Sequence, residues 1–527
     1  MNLLQDTWIP VVRANGAADI IAPRQIAEKT NPVVEIQTPR PDFQGALYQF
    51  LIGLLQTASA PEDHEAWLDS WDQPPGTDEL EKRFACLEKA FFLKDAVGPL
   101  FMQDLAMGKG EPKKISSLLI DAPGGKTVKD NLDHFNKRDT VRQLCPSCCA
   151  TALFTLQVNA PSGGVGHRVG LRGGGPLTTL VLPARKTTLW QKLWLNVLDQ
   201  ESFTPSPTAP GADVFPWMGS IRLSDRAGTE TRPKHTHPLQ MYWAMPRRIK
   251  LHFSQGSKSI CDICGSEGRV AAKGFLTQNY GINYTGEWLH PLTPYRFDKK
   301  KEKPPISLKG QQGGLGYRHW LGLVLSDPFN DTSAAQVTRR FIERRAVDLD
   351  EQHFARLWCF GYDMDNMKAR CWYDHTLPLF YLDQEQQANI LAWASELINA
   401  AREAAAALRR QVKSAWFKRP EDAKGDMNTV VYEFWQQTET DFYRLVGVLA
   451  KLPGEEEQAP AQIYTDWYNL IRKSTLNLFD AWALAMTPDT LDMKRVIAAR
   501  DALIRQFNIS KAIKTIKAKT RAEEETA

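Results

Sequence analysis

Two Cys-x-x-Cys pairs, Cys145-Pro-Ser-Cys148 and Cys261-Asp-Ile-Cys264, constrain this chain more than any other feature. Each spacing lets two thiolates point at one tetrahedral ion, and two such knuckles complete a four-sulfur zinc site. The 112 residues between them are far more than a compact zinc ribbon uses. A shared ion would therefore staple two distant segments around whatever lies between. Four sulfur ligands leave no open coordination position, so the expected Zn2+ is structural rather than catalytic. Four ordinary buried thiols are the alternative, and Cys149, next to Cys148, could take a ligand's place. A redox dithiol is disfavoured, because neither pair reads as opening a helix after a strand in a thioredoxin-like unit. A deaminase site does not fit, since neither pair follows a Pro and no His-x-Glu partner exists.

A chain of 527 residues is too long for one core and implies two to four domains. With 43% hydrophobic and 24% charged residues it can bury a large core, which excludes global disorder. No run of about 18 apolar residues is present, so no transmembrane helix or membrane partner is expected. The N-terminus lacks the basic and apolar regions of a signal peptide. The expected location is therefore a reducing cytoplasm, where eight cysteines argue for metal or free thiols. Cys86, Cys149, Cys359 and Cys371 read as buried bystanders. A net charge of +4 is too small for a global field, so any nucleic-acid contact must come from local clusters.

The texture of the chain changes near Asp383. Residues 1–382 read as a large mixed α+β domain with a helix-like repeat at Leu47, Phe50, Leu51, Leu54 and Leu55. A probable helix covers Leu80 to Phe92, and Gly108 to Lys114 and Pro123 to Arg142 read as loops. Residues 150–380 read as short strands and turns, with β signal at Thr178–Pro183 and Trp320–Leu325. From Gln384 to Phe417, Leu391, Ala394, Ile398, Ala401, Ala405, Leu408 and Val412 trace one helix face. Further helices over 428–452, 462–486 and 491–518 complete an expected four-helix bundle over 383–527.

Between the knuckles, seven glycines crowd the thirteen positions Gly163 to Gly175. Such backbone can approach a ligand closely and adopt positive φ. His167, Arg168 and Arg172 add phosphate-compatible donors. A tight structural turn and a ligand loop are both open readings. A dinucleotide fingerprint is not, because Val169 stands where the third glycine is needed. Basic residues surround Phe135 in the loop before the first knuckle, with Lys137 and Arg138 beside it, and Lys299, Lys300, Lys301 and Lys303 form a second run. Basic residues interleaved with an aromatic suit a nucleic-acid backbone with one stacked base, and a solvated charged loop is the alternative. For catalysis the chain offers little. Asp363, Asp365 and Asp374 are near one another without a partner motif for a two-metal site, and no nucleophile elbow occurs.

Taken in order, these residues resemble the CasA family, the large subunits of type I-E CRISPR Cascade surveillance complexes. The resemblance begins at Asn2-Leu-Leu-x-Asp-x-Trp-Ile-Pro-Val11 and continues through Pro99-Leu-Phe-Met-Gln103 and Cys145-x-x-Cys148 with Ala152-Leu-Phe154. Next come Gly170-Leu-Arg-Gly-Gly174, Cys261-x-x-Cys264 with Gly274-Phe-Leu276, His290-Pro-x-x-Pro294 and Gly361–Arg370. It implies a non-enzymatic subunit that recognises the protospacer-adjacent motif (PAM) of double-stranded target DNA from the minor groove and helps open the duplex. The crRNA-containing core of backbone and small subunits would be its partner, and a nuclease-helicase would be recruited afterwards. By position, Ser162, Gly163, Gly164 and Gly166 would place backbone against the PAM. Asn366, flanked by Asp365 and Met367, would be a wedge between the strands. Asn279 stands where some members hold a PAM-contacting Lys. Phe135, Lys137 and Arg138 would dock on the crRNA-holding core, and Lys299 to Lys301 would grip DNA nonspecifically. Two rival readings remain: a zinc-containing nuclease or nucleic-acid-modifying enzyme, and a zinc-stabilised scaffold that never touches DNA.

Overall fold

The apolar repeat around Phe50 belongs to helix α1 (Pro41–Ala58), of whose 18 residues 15 are buried. A helix apolar on nearly every side must be enclosed by other elements, and this one is. Trp8, Phe91, Phe101, Phe154 and Trp243 all meet the Phe50 ring edge-to-face, with centroids 5.3 to 5.9 Å away. Such aromatic geometry contributes beyond area burial, on the order of 1 kcal/mol per pair. The polar residues of α1 are satisfied inside the core. Gln56 exchanges hydrogen bonds with the Leu198 backbone, and Gln49 accepts from Arg172 at 2.5 Å.

The computed structural model describes residues 1–122, 140–310, 313–327, 331–349, 355–365, 368–425, 427–456, 458–485 and 491–520. Two compact units emerge. One comprises Met1–Gln311, Ala335–Arg340 and Trp358–Asp374; the other comprises Gln312–Ala334, Phe341–Leu357 and His375–Ala527. The division is not a single cut after residue 382, because the helical unit begins at His375 and also takes in the two earlier segments Gln312–Ala334 and Phe341–Leu357.

In the first unit, β1 (Ile9–Arg13) is flanked antiparallel by β2 (Ala18–Ile21) and β3 (Val33–Ile36). A second sheet has β7 (Glu267–Gln278) between β4 (Glu111–Lys114) and β6 (Arg248–Ile260). Residues Gly108 to Lys114 are thus only partly the expected loop, since β4 pairs with β7 from Glu111 to Lys114. A third sheet orders β9 (Lys368–Leu379), β8 (Ala355–Asp365) and β5 (Thr178–Pro183). The β signal at Thr178 holds. Residues 150–380 are not all strands and turns, however, for α2 (Pro146–Asn159) runs well past residue 150.

The helical unit is organised by α3 (Gln384–Trp416). Asp383 caps it in a reciprocal box with Gln386, at 2.8 and 3.0 Å. Six of the seven expected face residues are buried, and Leu391 is half-buried. α4 (Asn428–Leu449), α5 (Ala461–Leu484), α6 (Met493–Ile509) and α7 (Lys511–Lys519) pack on α3. The expected fourth helix is two, because Ser510 is extended and breaks it. Trp320–Val324 is a short helix and not the expected strand. A short apolar run that is buried throughout has no periodicity to separate the two states. Its Trp320 indole donates to the Pro378 carbonyl at 2.9 Å. No helix among the described residues is long and apolar enough to cross a membrane.

Candidate metal clasp and nucleic-acid interface

Cys145 caps the N-terminus of α2, where Pro146 occupies the first helical turn without losing a hydrogen bond. One turn on, the Cys148 N–H donates to the Cys145 sulfur at 3.4 Å. The second knuckle lies in the turn between β6 and β7. Leu144 extends the sheet by pairing with Ala272 through bonds of 3.0 and 2.9 Å. The Asp262 carboxylate accepts from the Arg142 and Gln143 N–H groups at 2.6 and 2.9 Å. These bonds bring the two knuckles together across the sequence gap. The four sulfurs lie within 4.8 Å of one another, and those of Cys145 and Cys264 are 3.7 Å apart. A tetrahedral ion with bonds of about 2.3 Å needs sulfurs about 3.8 Å apart. The four sulfurs are therefore grouped so that they could hold a metal ion.

Cys149 is outside this group, buried with its thiol turned to the Leu144 carbonyl. The first knuckle opens a helix, but among the described residues no strand leads directly into it, so the strand-then-helix arrangement of a thioredoxin-like dithiol is not formed. Four thiols converge rather than two. Their crowding ties the protons together. Hydrogen bonding with Cys145, then Cys148, pulls Cys261 down to about 6, while contact with Cys145 pushes Cys148 up. A bound cation would relieve this competition by accepting all four as thiolates. Of the four expected bystander thiols, Cys149 and Cys359 are buried, whereas Cys86 and Cys371 are exposed.

Immediately after α2 the chain enters the glycine loop. Gly163 and His167 close a tight turn, with His167 N–H to Gly164 O at 3.3 Å. Gly164 has φ +89° and Gly166 φ +77°, a region costly for any residue with a Cβ. Beyond Gly164 there is open space, whereas a Cβ on Gly166 would lie 2.8 Å from that of Asn279. The Tyr280 N–H donates to the Gly166 carbonyl at 2.7 Å. Gly166 is thus packed against Asn279, while Ser162, Gly163 and Gly164 are exposed in the same loop. Between the glycines, Val165 is 80% exposed at the loop tip. Behind the loop, Arg168 donates to the Ser224 hydroxyl and carbonyl at 2.6 and 2.7 Å and lies over the Tyr280 ring. His167 is held low by burial, then by the neighbouring Arg247 and Lys113 charges.

Arg172 corrects an expectation. It is buried, bonded to Gln49, Thr178 and Thr293, and serves the core rather than a phosphate. Asp363, Asp365 and Asp374 do not assemble a metal site. Asp363 is held by Arg370 at 2.7 and 2.9 Å, and Asp374 accepts from the Trp358 indole at 3.1 Å. Among the described residues the four cysteines form the only cluster of three or more His, Cys, Asp or Glu side chains placed to hold a metal ion. Asp365 is exposed at the end of β8, while Asn366 and Met367 lie outside the described residues, as do Phe135, Lys137 and Arg138. The β8 strand is anchored by Tyr362, whose hydroxyl donates to Asp42 at 2.5 Å. Lys299, Lys300 and Lys301 occupy an exposed turn, closed by the Lys301 N–H on the Asp298 carbonyl at 2.9 Å. Sequence reasoning missed Tyr280 and Arg247. The Arg247-Arg248 doublet was a visible signal, but only as unlocated charge.

This geometry defines an α+β protein with a four-cysteine cluster at the start of α2, a glycine loop packed on an asparagine past its end, and a helical unit. Residues 2–478 match the model of the CRISPR-associated protein Cse1 family, and the chain belongs to that family, also called CasA. Solved structures share the fold. CasA (Cse1) of Thermus thermophilus is 18% identical, covers 96% of this chain and 99% of its own, and superposes with a TM-score of 0.70. Cse1 of Thermobifida fusca is 16% identical over 99% of both chains, with a TM-score of 0.69. A chain of a CRISPR RNA-guided surveillance complex is 16% identical, over 96% of this chain and 99% of that one, with a TM-score of 0.65.

Proposed function

We propose that this chain is the large subunit of a type I-E Cascade complex, and that its glycine loop recognises the PAM of double-stranded DNA. Membership of the Cse1 family supports the assembly role, and the likeness to a chain of an RNA-guided surveillance complex agrees with it. The observation that carries the recognition role is the pairing of the loop with Asn279. Only glycine backbone is thin enough to enter a minor groove at Gly164 and Gly166, and an asparagine side chain can read acceptors on its floor. Asp365, Asn366 and Met367 would follow as the wedge that parts the strands, which costs a few kcal/mol per unstacked step. Lys299 to Lys301 would hold DNA weakly and independently of sequence during search. Phe135, Lys137 and Arg138 would dock on the crRNA-containing core. The metal would be Zn2+ in a structural role, keeping α2 and the loop that follows it in register with β6 and β7. Guide-RNA pairing would read the remaining sequence, and cleavage would fall to a recruited nuclease-helicase.

The test is duplex binding by the reconstituted complex across a randomised PAM library, with and without Gly164→Val. The reading expects selection of a short motif by the unmodified complex, and loss of that selection with assembly intact in the variant. Unchanged selection by the variant sinks the glycine-loop assignment.

A further inference from the structure

Arg247, at the entry to β6, is only 9% exposed. Its backbone is fixed by Gln157, whose side chain bonds both the N–H and the carbonyl, at 3.0 and 2.9 Å. The guanidinium runs under the glycine loop. One terminal nitrogen donates to the Pro161 carbonyl. The other lies where a Cβ on Gly163 would come within 2.6 Å of it. The Nε is buried without a partner, and among the described residues no carboxylate pairs with this charge. Its neighbour Arg248 shows the ordinary arrangement, paired with Asp104 at 2.6 Å.

A buried cation without a counter-ion is costly, so its place needs a reason. The loop above supplies one. Among the described residues, the N–H groups of Gly164, Val165 and Gly166 have no acceptor. Gly164 and Gly166 take positive φ while Val165 between them does not. Backbone whose successive residues alternate in the sign of φ can direct its N–H groups into a concavity suited to an anion.

We propose that Arg247 is a positioning residue of the glycine loop, holding these N–H groups toward a DNA backbone phosphate with a fixed positive charge directly behind them. This inference rests on the reading that the loop faces duplex DNA. It adds a phosphate seat beside the base edges that the loop would read. The phosphate would supply the counter-ion that Arg247 lacks.

The experiment compares complexes carrying Arg247→Met, Arg247→Lys and Gly164→Val. Two probes are used over a salt series: a matched duplex with PAM, and a matched single strand that needs no PAM. Arg247→Met should weaken duplex binding roughly ten- to hundredfold, the effect of losing a charge-assisted bond. It should also lower the slope of log K on log salt by about one. Single-strand binding should be unchanged, and Arg247→Lys, which keeps the charge and a donor, should recover most of the loss. Unchanged duplex affinity and slope in Arg247→Met would overturn the proposal. So would equal losses on both probes, or a Lys variant as weak as the Met variant. If Gly164→Val also leaves duplex binding intact, the glycine-loop reading itself fails; if only Arg247→Met is silent, the loop reading stands and the role of Arg247 falls. Should Arg247→Met not assemble, Arg247→Gln decides by the same readouts.

Discussion

Alanine at Gly166 and alanine at Gly164 should have different consequences, although both glycines share one loop and both have positive φ. Giving a Cβ to either residue costs about 1–2 kcal/mol of backbone strain. At Gly164 that is all, because nothing lies within 4 Å of the added atom. At Gly166 the added atom sits 2.8 Å from Asn279 Cβ and 3.1 Å from the Tyr280 ring. Carbon atoms prefer about 3.5–4.0 Å, and overpacking of this kind costs about 1–3 kcal/mol more. Asn279 cannot retreat alone, since Tyr280 is tied to the Gly166 carbonyl at 2.7 Å. The loop and Asn279 must therefore separate, which breaks the surface assigned to the PAM. Gly166→Ala should lower the affinity of the reconstituted complex for a PAM-bearing duplex by roughly ten- to hundredfold more than Gly164→Ala does. It should also give the lower unfolding midpoint of the two in the isolated subunit. Mobility shift across a DNA titration and a thermal scan measure both. Equal affinities and equal midpoints for the two variants would refute the packing argument.

Three further outcomes are expected. Cys148→Ser should remove one equivalent of bound metal per chain and lower the unfolding midpoint together, as read by elemental analysis and calorimetry; metal retained at full occupancy would contradict the clasp. Replacing Lys299, Lys300 and Lys301 by Glu should lower the salt slope of nonspecific duplex binding by about three without moving the unfolding midpoint. His290 is buried, its Nδ1 accepting from the Leu292 N–H at 3.1 Å, and burial followed by the nearby Arg172 charge holds its pKa well below 6.5. Its neutral form therefore stabilises the fold above pH 6.5, and that contribution drains away as the pH falls, because the unfolded chain takes up the proton first. His290→Asn, which keeps an acceptor but cannot be protonated, should flatten the decline in urea midpoint between pH 7 and 5; an unchanged profile would count against this.

The residues that resisted sequence reading have a common physical cause. Arg168, Arg172 and Arg247 fall within one region and carry the same charge, and nothing local distinguishes them. Arg172 turns inward because Gln49, Thr178 and Thr293 wait there, brought from three other segments. Arg247 runs beneath Gly163 because Gln157, at the end of α2, grips its backbone. The Trp320–Val324 run was misread for a related reason, since a run buried on all sides has no polar face to mark its period. Ser510 breaks the last helix by a turn of its own backbone, with only weak local warning.

Where the information was local, the sequence sufficed. The Cys-x-x-Cys spacing picked out the four cysteines that converge, because the reach of two thiols across one turn depends on nothing distant. The apolar repeats of α1 and α3 announced buried helix faces, because a 3.6-residue period is a property of the chain itself. Convergence was a different matter. Two knuckles 112 residues apart become one clasp only when Leu144 pairs with Ala272 and Asp262 caps the strand beside it. Likewise, the glycine loop becomes a candidate reading surface only when Tyr280 bonds Gly166 and places Asn279 against it. Contacts of that kind are chosen by the packing of the whole unit, and no short stretch of residues encodes them.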